Sequence, residues 1–364
     1  MIRIAAPDVG SREQACVAEA VASGWLSSRG PFVARFEQAF ASFCGTSHGV
    51  ACASGTTALH LALAALRIGP GDEVIVPALT MIGSVNPVRY VGATPVVVDV
   101  LEDVWTMSPA RVKTALTPRT RAIVVTHLYG HPADVDAIRQ AAPGIPIVED
   151  AAEAHGATLR GRRAGSLGDI AAFSFYANKI LTTGEGGMVV TSRADLAERC
   201  RSLRDHAFGG DESRYEHREV GFSYRMSNLQ AAVGLAQTER ALELVGKSRR
   251  VGERYRAGLR GVAGLEVQGE SDGAVSAYWV FGLVVSESAR VTRDQLRAAL
   301  GTRGIETRDF FHPIHRQPAY AQLCGAAQCP VAERLGARGL YLPSGPGRTD
   351  AEVDTVIEAV KESI

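Results

Sequence analysis

Between residues 73 and 150, four short runs rich in β-branched residues recur at regular intervals: Glu73-Val74-Ile75-Val76-Pro77, Thr94-Pro95-Val96-Val97-Val98-Asp99, Ala122-Ile123-Val124-Val125-Thr126 and Ile145-Pro146-Ile147-Val148-Glu149-Asp150. Such runs do not alternate apolar with polar, so the strands they form are covered on both faces. With helical stretches between them, that pattern predicts a mainly parallel sheet built from crossover units, an α/β architecture. Ser54 to Leu66 reads as a helix that opens at a serine with a glycine beside it. A longer helix is predicted from Asn228 to Leu259, where Leu229, Val233, Ala236, Leu242 and Val245 recur at helical spacing and Gly234 and Gly246 are the places for a bend. The alternation from Tyr278 to Val285 predicts a strand and the segment from Asp350 a terminal helix, together a smaller α/β domain. A chain of 364 residues exceeds one small core. The expected division is a large domain over residues 1–235, then a linker helix and small domain over 236–364.

Charge and cysteine content narrow the function. Lysine plus arginine equals aspartate plus glutamate, 39 each, which gives no reason to expect a nucleic-acid or anionic-membrane partner. The six cysteines form no C-x-x-C pair and match no zinc spacing, as suits a reducing cytoplasm. No apolar leader region opens the chain, and no run approaches the roughly 20 apolar residues of a membrane helix. From Asp205 to Met226 the periodicity gives way to polar, glycine and aromatic residues, the pattern of a long loop that covers a site, reaches another subunit or lies on the surface.

Lys179 is one of only four lysines against thirty-five arginines, and it lies between the aromatic run Phe173-Ser174-Phe175-Tyr176 and the turn Thr183-Gly184-Glu185-Gly186-Gly187. A lysine can lose its proton and attack a carbonyl, whereas an arginine cannot near neutral pH. Ala53-Ser54-Gly55-Thr56-Thr57 puts hydroxyls and a glycine at a helix start, where free N–H groups attract phosphate, although serine is also a common helix cap. Asp150 ends a strand at the sheet edge where α/β ligand sites form and could pair with a protonated ring nitrogen; an N-cap aspartate has the same signature. Ser174 could add a hydroxyl to a phosphate site or be a strand residue with its hydroxyl satisfied. A phosphate cradle, a carboxylate for a pyridinium and an amine for an aldehyde are together what pyridoxal 5'-phosphate requires.

With those residues in view, the chain resembles the DegT/StrS family of sugar aminotransferases nearly from end to end. The resemblance runs through Ser23-Gly24-Trp25-Leu26, Ala53-Ser54-Gly55-Thr56, Val148-Glu149-Asp150-Ala151-Ala152-Glu153-Ala154-His155-Gly156, the lysine segment, and Tyr224-Arg225-Met226-Ser227-Asn228-Leu229-Gln230. It implies the aspartate-aminotransferase-type fold (fold type I), whose large domain holds a mainly parallel seven-stranded sheet. It also implies that Lys179 holds the cofactor and moves protons, that Asp150 keeps the ring nitrogen protonated, and that Ser54, Gly55, Thr56 and Ser174 bind the phosphate. Asn228 would reach that phosphate from a partner subunit in a homodimer with shared sites. Glu153 and His155 would line the cofactor and sugar pocket, and Arg308, His312 and His315, in Thr307-Arg308-Asp309-Phe310-Phe311-His312-Pro313-Ile314-His315, would meet phosphate or sugar oxygens. A histidine at 155 equally suits a structural core position. His312 and His315 have metal-like spacing, but Pro313 between them and the lack of a carboxylate pattern argue against a metal.

One departure is Met81, where many relatives place an aromatic residue against the pyridoxal ring; a thioether can cover a ring by dispersion and sulfur contact. Neither G-x-G-x-x-G after a strand nor G-x-x-x-x-G-K is present, against nicotinamide and nucleotide-hydrolysing enzymes. Lys179 also disfavours the family's dehydratase branch, which replaces this lysine with histidine. Segments 174–188 and 223–239 resemble the family's 4-ketosugar branch. The implied reaction moves an amino group from L-glutamate to the 4-keto carbon of a nucleotide-linked 4-keto-6-deoxyhexose. A cyclitol or 3-ketosugar substrate is the alternative, and a non-catalytic regulatory homologue a further one.

Overall fold

The computed structural model describes residues 1–208, 215–217 and 219–364. Its strands, in chain order, are β1 (His48–Cys52), β2 (Glu73–Pro77), β3 (Thr94–Val98), β4 (Thr120–Thr126), β5 (Ile147–Asp150), β6 (Thr158–Leu159), β7 (Arg162–Arg163), β8 (Ile170–Ser174), β9 (Gly187–Thr191), β10 (Leu265–Val267), β11 (Ala274–Val275), β12 (Phe281–Val285), β13 (Arg308–Asp309) and β14 (Gly339–Leu342). Seven of them form the central sheet in the order β1-β9-β8-β5-β4-β2-β3. β9 runs antiparallel to both neighbours; the other pairings are parallel. Every residue of β2, β5 and β9 is buried, the signature of a sheet covered on both faces. The parallel strands therefore deliver their carboxyl ends, at Cys52, Pro77, Thr126, Asp150 and Ser174, to one edge.

The helix Gly55–Ala65 follows β1 directly. Ser54 caps it by accepting the Thr57 N–H, while the Thr57 hydroxyl accepts the Ser54 N–H. Its apolar sequence is buried almost all round, so the capped end is fixed against β8 and β9.

The long helix expected from Asn228 is two helices, Asn228–Glu239 and Ala241–Leu259, broken at Arg240 and not at either glycine. Arg240 bonds Asp8, Glu13 and Glu243, so the break is held by a charge cluster. Gly234 instead allows close packing, since a Cβ there would lie 2.6 Å from the Phe36 ring. The boundary expected near residue 235 falls inside the first of these helices. Beyond them, β10-β12-β14-β13 forms an antiparallel sheet backed by the helices Arg293–Thr302 and Asp350–Ser363. The N-terminal residues cross to this part of the molecule, where Ile2 bridges to Ile305 and Ala5 to Ser344.

The strand expected from Tyr278 starts only at Phe281, because Tyr278 has a positive φ of 51° that no strand residue adopts. Of the expected loop from Asp205 to Met226, residues 209–214 and 218 lie outside the described residues; flanking them, Asp205 bridges to Ser223 and Phe208 to His217. All six cysteines are buried and free. Among the described residues, no helix is long and apolar enough to cross a membrane.

Candidate active site

At the carboxyl edge of the central sheet, a cavity of about 380 Å³ collects residues from most parts of the chain. Ser54, Gly55 and Thr56 border it from the helix start, Met81 from the loop after β2, Asp150 and Glu153 from the end of β5, and Ser174 and Lys179 from the end of β8. Eight sequence-predicted residues are thus brought together around one space.

Lys179 lies on a turn held by its own backbone. Its N–H donates to the Tyr176 carbonyl at 2.8 Å, the Thr182 hydroxyl and the Thr183 N–H both donate to the Phe175 carbonyl, and the Thr182 hydroxyl accepts the Gly184 N–H, which ties the following glycine turn back to the strand end. The amine is 3.7 Å from Glu153 Oε1 and 3.5 Å from the centre of the Trp279 ring. Burial pushes this amine below the usual lysine range, against the attraction of Glu153 and Asp150. Burial likewise pushes the Glu153 carboxyl above its usual range, against Lys179 and a 2.8 Å bond from the Tyr129 N–H. Both shifts have burial as their first cause, so the cavity disfavours charge on the amine and on the carboxyl alike while each group partly offsets that for the other. Tyr129 makes its bond from a positive φ of 59°, a strained conformation for a bulky residue.

Asp150 is buried, and that burial raises its carboxyl. Two hydrogen bonds favour the anion: Ser84 Oγ donates to Oδ2 at 2.5 Å and the Ala152 N–H to Oδ1 at 3.1 Å. Behind the strand end, His127 Nε2 and Glu149 Oε2 stand 2.9 Å apart in a fully buried pair, and Glu149 accepts three further backbone N–H groups from Gly165, Leu167 and Gly168. β5 is thereby fixed on its far side.

The helix start meets β8 closely. A Cβ on Gly55 would fall 2.8 Å from Ser174 Cβ, so only glycine lets the N-terminal amides and the Ser174 hydroxyl converge. Within the helix, hydrogen bonding starts from the Thr57 and Ala58 amides, which leaves the Gly55 and Thr56 N–H groups directed to the cavity, a cradle suited to phosphate. With a carboxylate at one end, an amine at another and an anion-binding cradle of N–H groups at the third, the residues present fit pyridoxal phosphate. Met81, half exposed on the cavity wall, accepts the Gly83 N–H through its sulfur at 2.7 Å.

Other predicted residues lie elsewhere. His155 is fully buried among Phe40, Phe173 and Phe175, with ring centres 5.3 to 6.0 Å away, and does not border the cavity. Asn228, expected to serve a neighbouring subunit, does not border this chain's cavity: its Oδ1 accepts the Phe32 N–H at 2.9 Å, its Nδ2 donates to the Trp25 carbonyl at 2.7 Å, and it is wholly buried. These bonds fix the turn before the helix Pro31–Cys44. Nor do Arg308, His312 and His315 border the cavity: Arg308 pairs with Glu306 at 2.9 Å, His312 faces solvent, and His315 is buried against Glu333 at 2.9 Å. Phe311 and Tyr341 border it in their place.

Sequence reasoning missed Ser84, Trp279, Tyr341 and Asn178, whose buried side-chain oxygen finds no partner among the described residues. Adjacency to Lys179 was a usable signal for Asn178. The others come from distant segments with no local pattern.

Comparison with known proteins agrees with this geometry. GDP-perosamine synthase of Caulobacter vibrioides is 45% identical over 99% of this chain and 98% of its own. The dTDP-3-amino-3,4,6-trideoxy-alpha-D-glucose transaminase of Streptomyces venezuelae is 42% identical over 92% and 87%. The crystal structure of S. venezuelae DesV in complex with a ketimine intermediate superposes with a TM-score of 0.90 at 42% identity, covering 96% of this chain and 93% of that one. The DegT/DnrJ/EryC1/StrS aminotransferase family profile matches residues 7–361, and the chain belongs to that family.

Proposed function

We propose that this protein uses pyridoxal phosphate to move an amino group from L-glutamate to the 4-keto carbon of a nucleotide-linked 4-keto-6-deoxyhexose. The observation that carries this reading is Lys179, a buried amine depressed by burial, facing the same cavity as the Asp150 carboxylate and the amides of Gly55 and Thr56. When bound, the cofactor supplies an electron sink for exchange of an amino group between carbon skeletons. Lys179 would hold it covalently and carry the proton between carbon and nitrogen positions, while Asp150 holds a proton on the ring nitrogen. Gly55, Thr56, Ser54 and Ser174 would bind its phosphate. Trp279, Phe311 and Tyr341 add aromatic surface to the cavity lining.

The names of the relatives support a nucleotide-linked aminosugar as product. The second of those names places its amino group at C3, which favours a 3-ketosugar as the alternative substrate. Both the donor and the nucleotide are anions, yet among the described residues bordering the cavity Lys179 is the sole cation beside Asp150, Glu153 and Glu185. A second copy of the chain that contributes cations to the rim meets this deficit and supports a homodimer with shared sites. Trp25, Leu26, Tyr90 and Tyr176 are large apolar side chains left exposed on this chain and available to such a contact. Free buried cysteines suit a reducing cytoplasm.

Purified protein given L-glutamate should lose the visible absorbance of the aldehyde cofactor, and Lys179→Ala should not. GDP- and dTDP-linked 4-keto-6-deoxysugars tested beside scyllo-inosose then decide the substrate. Turnover of the cyclitol alone rejects the nucleotide-sugar reading, and amination at C3 selects the alternative.

A further inference from the structure

Trp279 is 5% exposed and presents its indole face to the Lys179 amine at 3.5 Å, while its ring N–H donates to the Asn178 carbonyl at 2.8 Å. That carbonyl belongs to the residue immediately before the lysine. One edge of the indole is therefore registered on the lysine's own backbone and its face on the lysine's end, although 100 residues separate the two in sequence.

The segment carrying Trp279 is held in place from several sides. Tyr278 has a left-handed φ of 51°, costly for an aromatic residue unless its surroundings enforce it. Two glycines make the space: a Cβ on Gly130 would lie 2.7 Å from the Tyr278 nitrogen and 2.8 Å from that of Trp279, and one on Gly252 would lie 2.2 Å from Tyr278 Cγ. The Ser248 hydroxyl donates to the Tyr278 carbonyl at 2.7 Å, and the Tyr278 hydroxyl donates to Glu270 at 3.1 Å. Such convergence on one pair of residues exceeds what packing an apolar side chain requires.

We propose that Trp279 is a positioning residue for Lys179, whose indole face receives the free ammonium end of the lysine whenever that amine is not bonded to cofactor. The inference rests on the reading of Lys179 as the cofactor-bearing amine. A lysine that alternates between covalent attachment and proton carriage passes through a free, charged state on a flexible four-carbon stem. With Lys179 buried, that state needs a partner within reach of the reacting atoms. Glu153 and Asp150 face the amine from the end of β5 and favour its charge; burial opposes it. His155, behind the same strand end, is disfavoured as a cation by burial first and by Lys179 second, and Tyr341 borders the cavity from β14. Trp279 adds the negative face of a ring, which favours the cation without taking its proton. Trp279 also precedes β12, so the seating of the C-terminal sheet and the placement of the amine are one arrangement.

The test uses the full-length chain, freed of cofactor and resupplied with pyridoxal phosphate across the neutral to alkaline range. The rate of appearance of visible absorbance reports covalent capture by the neutral amine, with Lys179→Ala as the blank. In Trp279→Leu the cation loses its partner, so the pH midpoint of capture moves toward acid by about half to one pH unit. Trp279→Phe, which keeps a ring face and loses the N–H, gives a midpoint between those of wild type and Trp279→Leu. Equal midpoints in all three proteins, even with slower capture in the variants, overturn the role of Trp279 alone. Absence of Lys179-dependent absorbance in the wild type overturns the reading of Lys179 and this inference with it.

Discussion

Ser84 Oγ donates to Asp150 Oδ2 at 2.5 Å, and the Thr80 hydroxyl stands 2.7 Å behind it and 3.1 Å from that of Thr126. This relay is the principal hydrogen-bonding support for a carboxylate that burial otherwise pushes toward the neutral form. Hydrogen bonds to charged groups contribute about 1.5–3 kcal/mol. Ser84→Ala should therefore slow the L-glutamate half-reaction roughly 10- to 100-fold while leaving the fold intact. Single-turnover absorbance measures it, and Asp150→Asn should lose more. A Ser84→Ala enzyme at the parental rate would show that the anion at Asp150 does not depend on this bond.

Glu153 lies 3.7 Å from the Lys179 amine and favours its protonated form. Glu153→Gln keeps an oxygen for the Tyr129 N–H and removes the charge. The amine then gives up its proton at lower pH, because burial continues to depress it with only Asp150 opposing. The acid limb of the pH–rate profile for the L-glutamate half-reaction should move to lower pH by up to about one unit. Movement toward alkaline pH contradicts the sign.

Gly55 and Gly246 should respond in opposite directions to alanine. A Cβ at 55 would sit 2.8 Å from Ser174 Cβ and 3.3 Å from its Cα, forcing apart the two halves of the phosphate cradle. Overpacking of this kind typically costs about 1–3 kcal/mol, so Gly55→Ala should bind pyridoxal phosphate roughly 10-fold more weakly or worse. At 246, inside the helix Ala241–Leu259, a Cβ meets nothing within 4 Å. Gly246→Ala should raise the thermal midpoint through helix propensity, worth up to about 1 kcal/mol. Fluorescence titration with cofactor and thermal unfolding of both variants check the contrast.

The parallel sheet was legible because β2, β4 and β5 are buried almost throughout and so read as unbroken apolar runs, and the edge strand β3 keeps the same β-branched composition although it is only partly buried. β1 and β9 carry glycine, histidine, cysteine and methionine, which blurs that signal. The residues that converge at the sheet edge were legible where a chemically specific side chain coincided with a strand or helix end, as at Asp150, Lys179 and Ser54. Direction was not: Glu153 and His155 are two residues apart on an irregular turn, and one side chain enters the cavity while the other enters an aromatic core. The neighbourhood of Asn228 is also that of a helix start, with Ser227 and Gln230 forming a reciprocal cap. Trp279 and Ser84 reach the site by long-range folding that no local pattern encodes.

Neither ring nitrogen of His155 has a hydrogen-bond partner among the described residues, and burial pushes its pKa down to about 3. In the unfolded chain the same ring titrates near 6.5. Between those values the unfolded state binds a proton that the folded state refuses, so stability present above pH 6.5 is lost as pH falls toward 3, by about 1.4 kcal/mol per pH unit. His131, pushed by burial to about 4, adds in the same direction. Replacement of His155 by phenylalanine suits a neighbourhood of Phe40, Phe173 and Phe175 and removes one of these protons. Urea unfolding of His155→Phe at neutral pH and near pH 5 should therefore show a loss on acidification smaller than the wild-type loss by about 2 kcal/mol. Equal losses in the two proteins would mean that the buried ring accepts its proton without unfolding, and that the aromatic pocket around it opens to water in the native state.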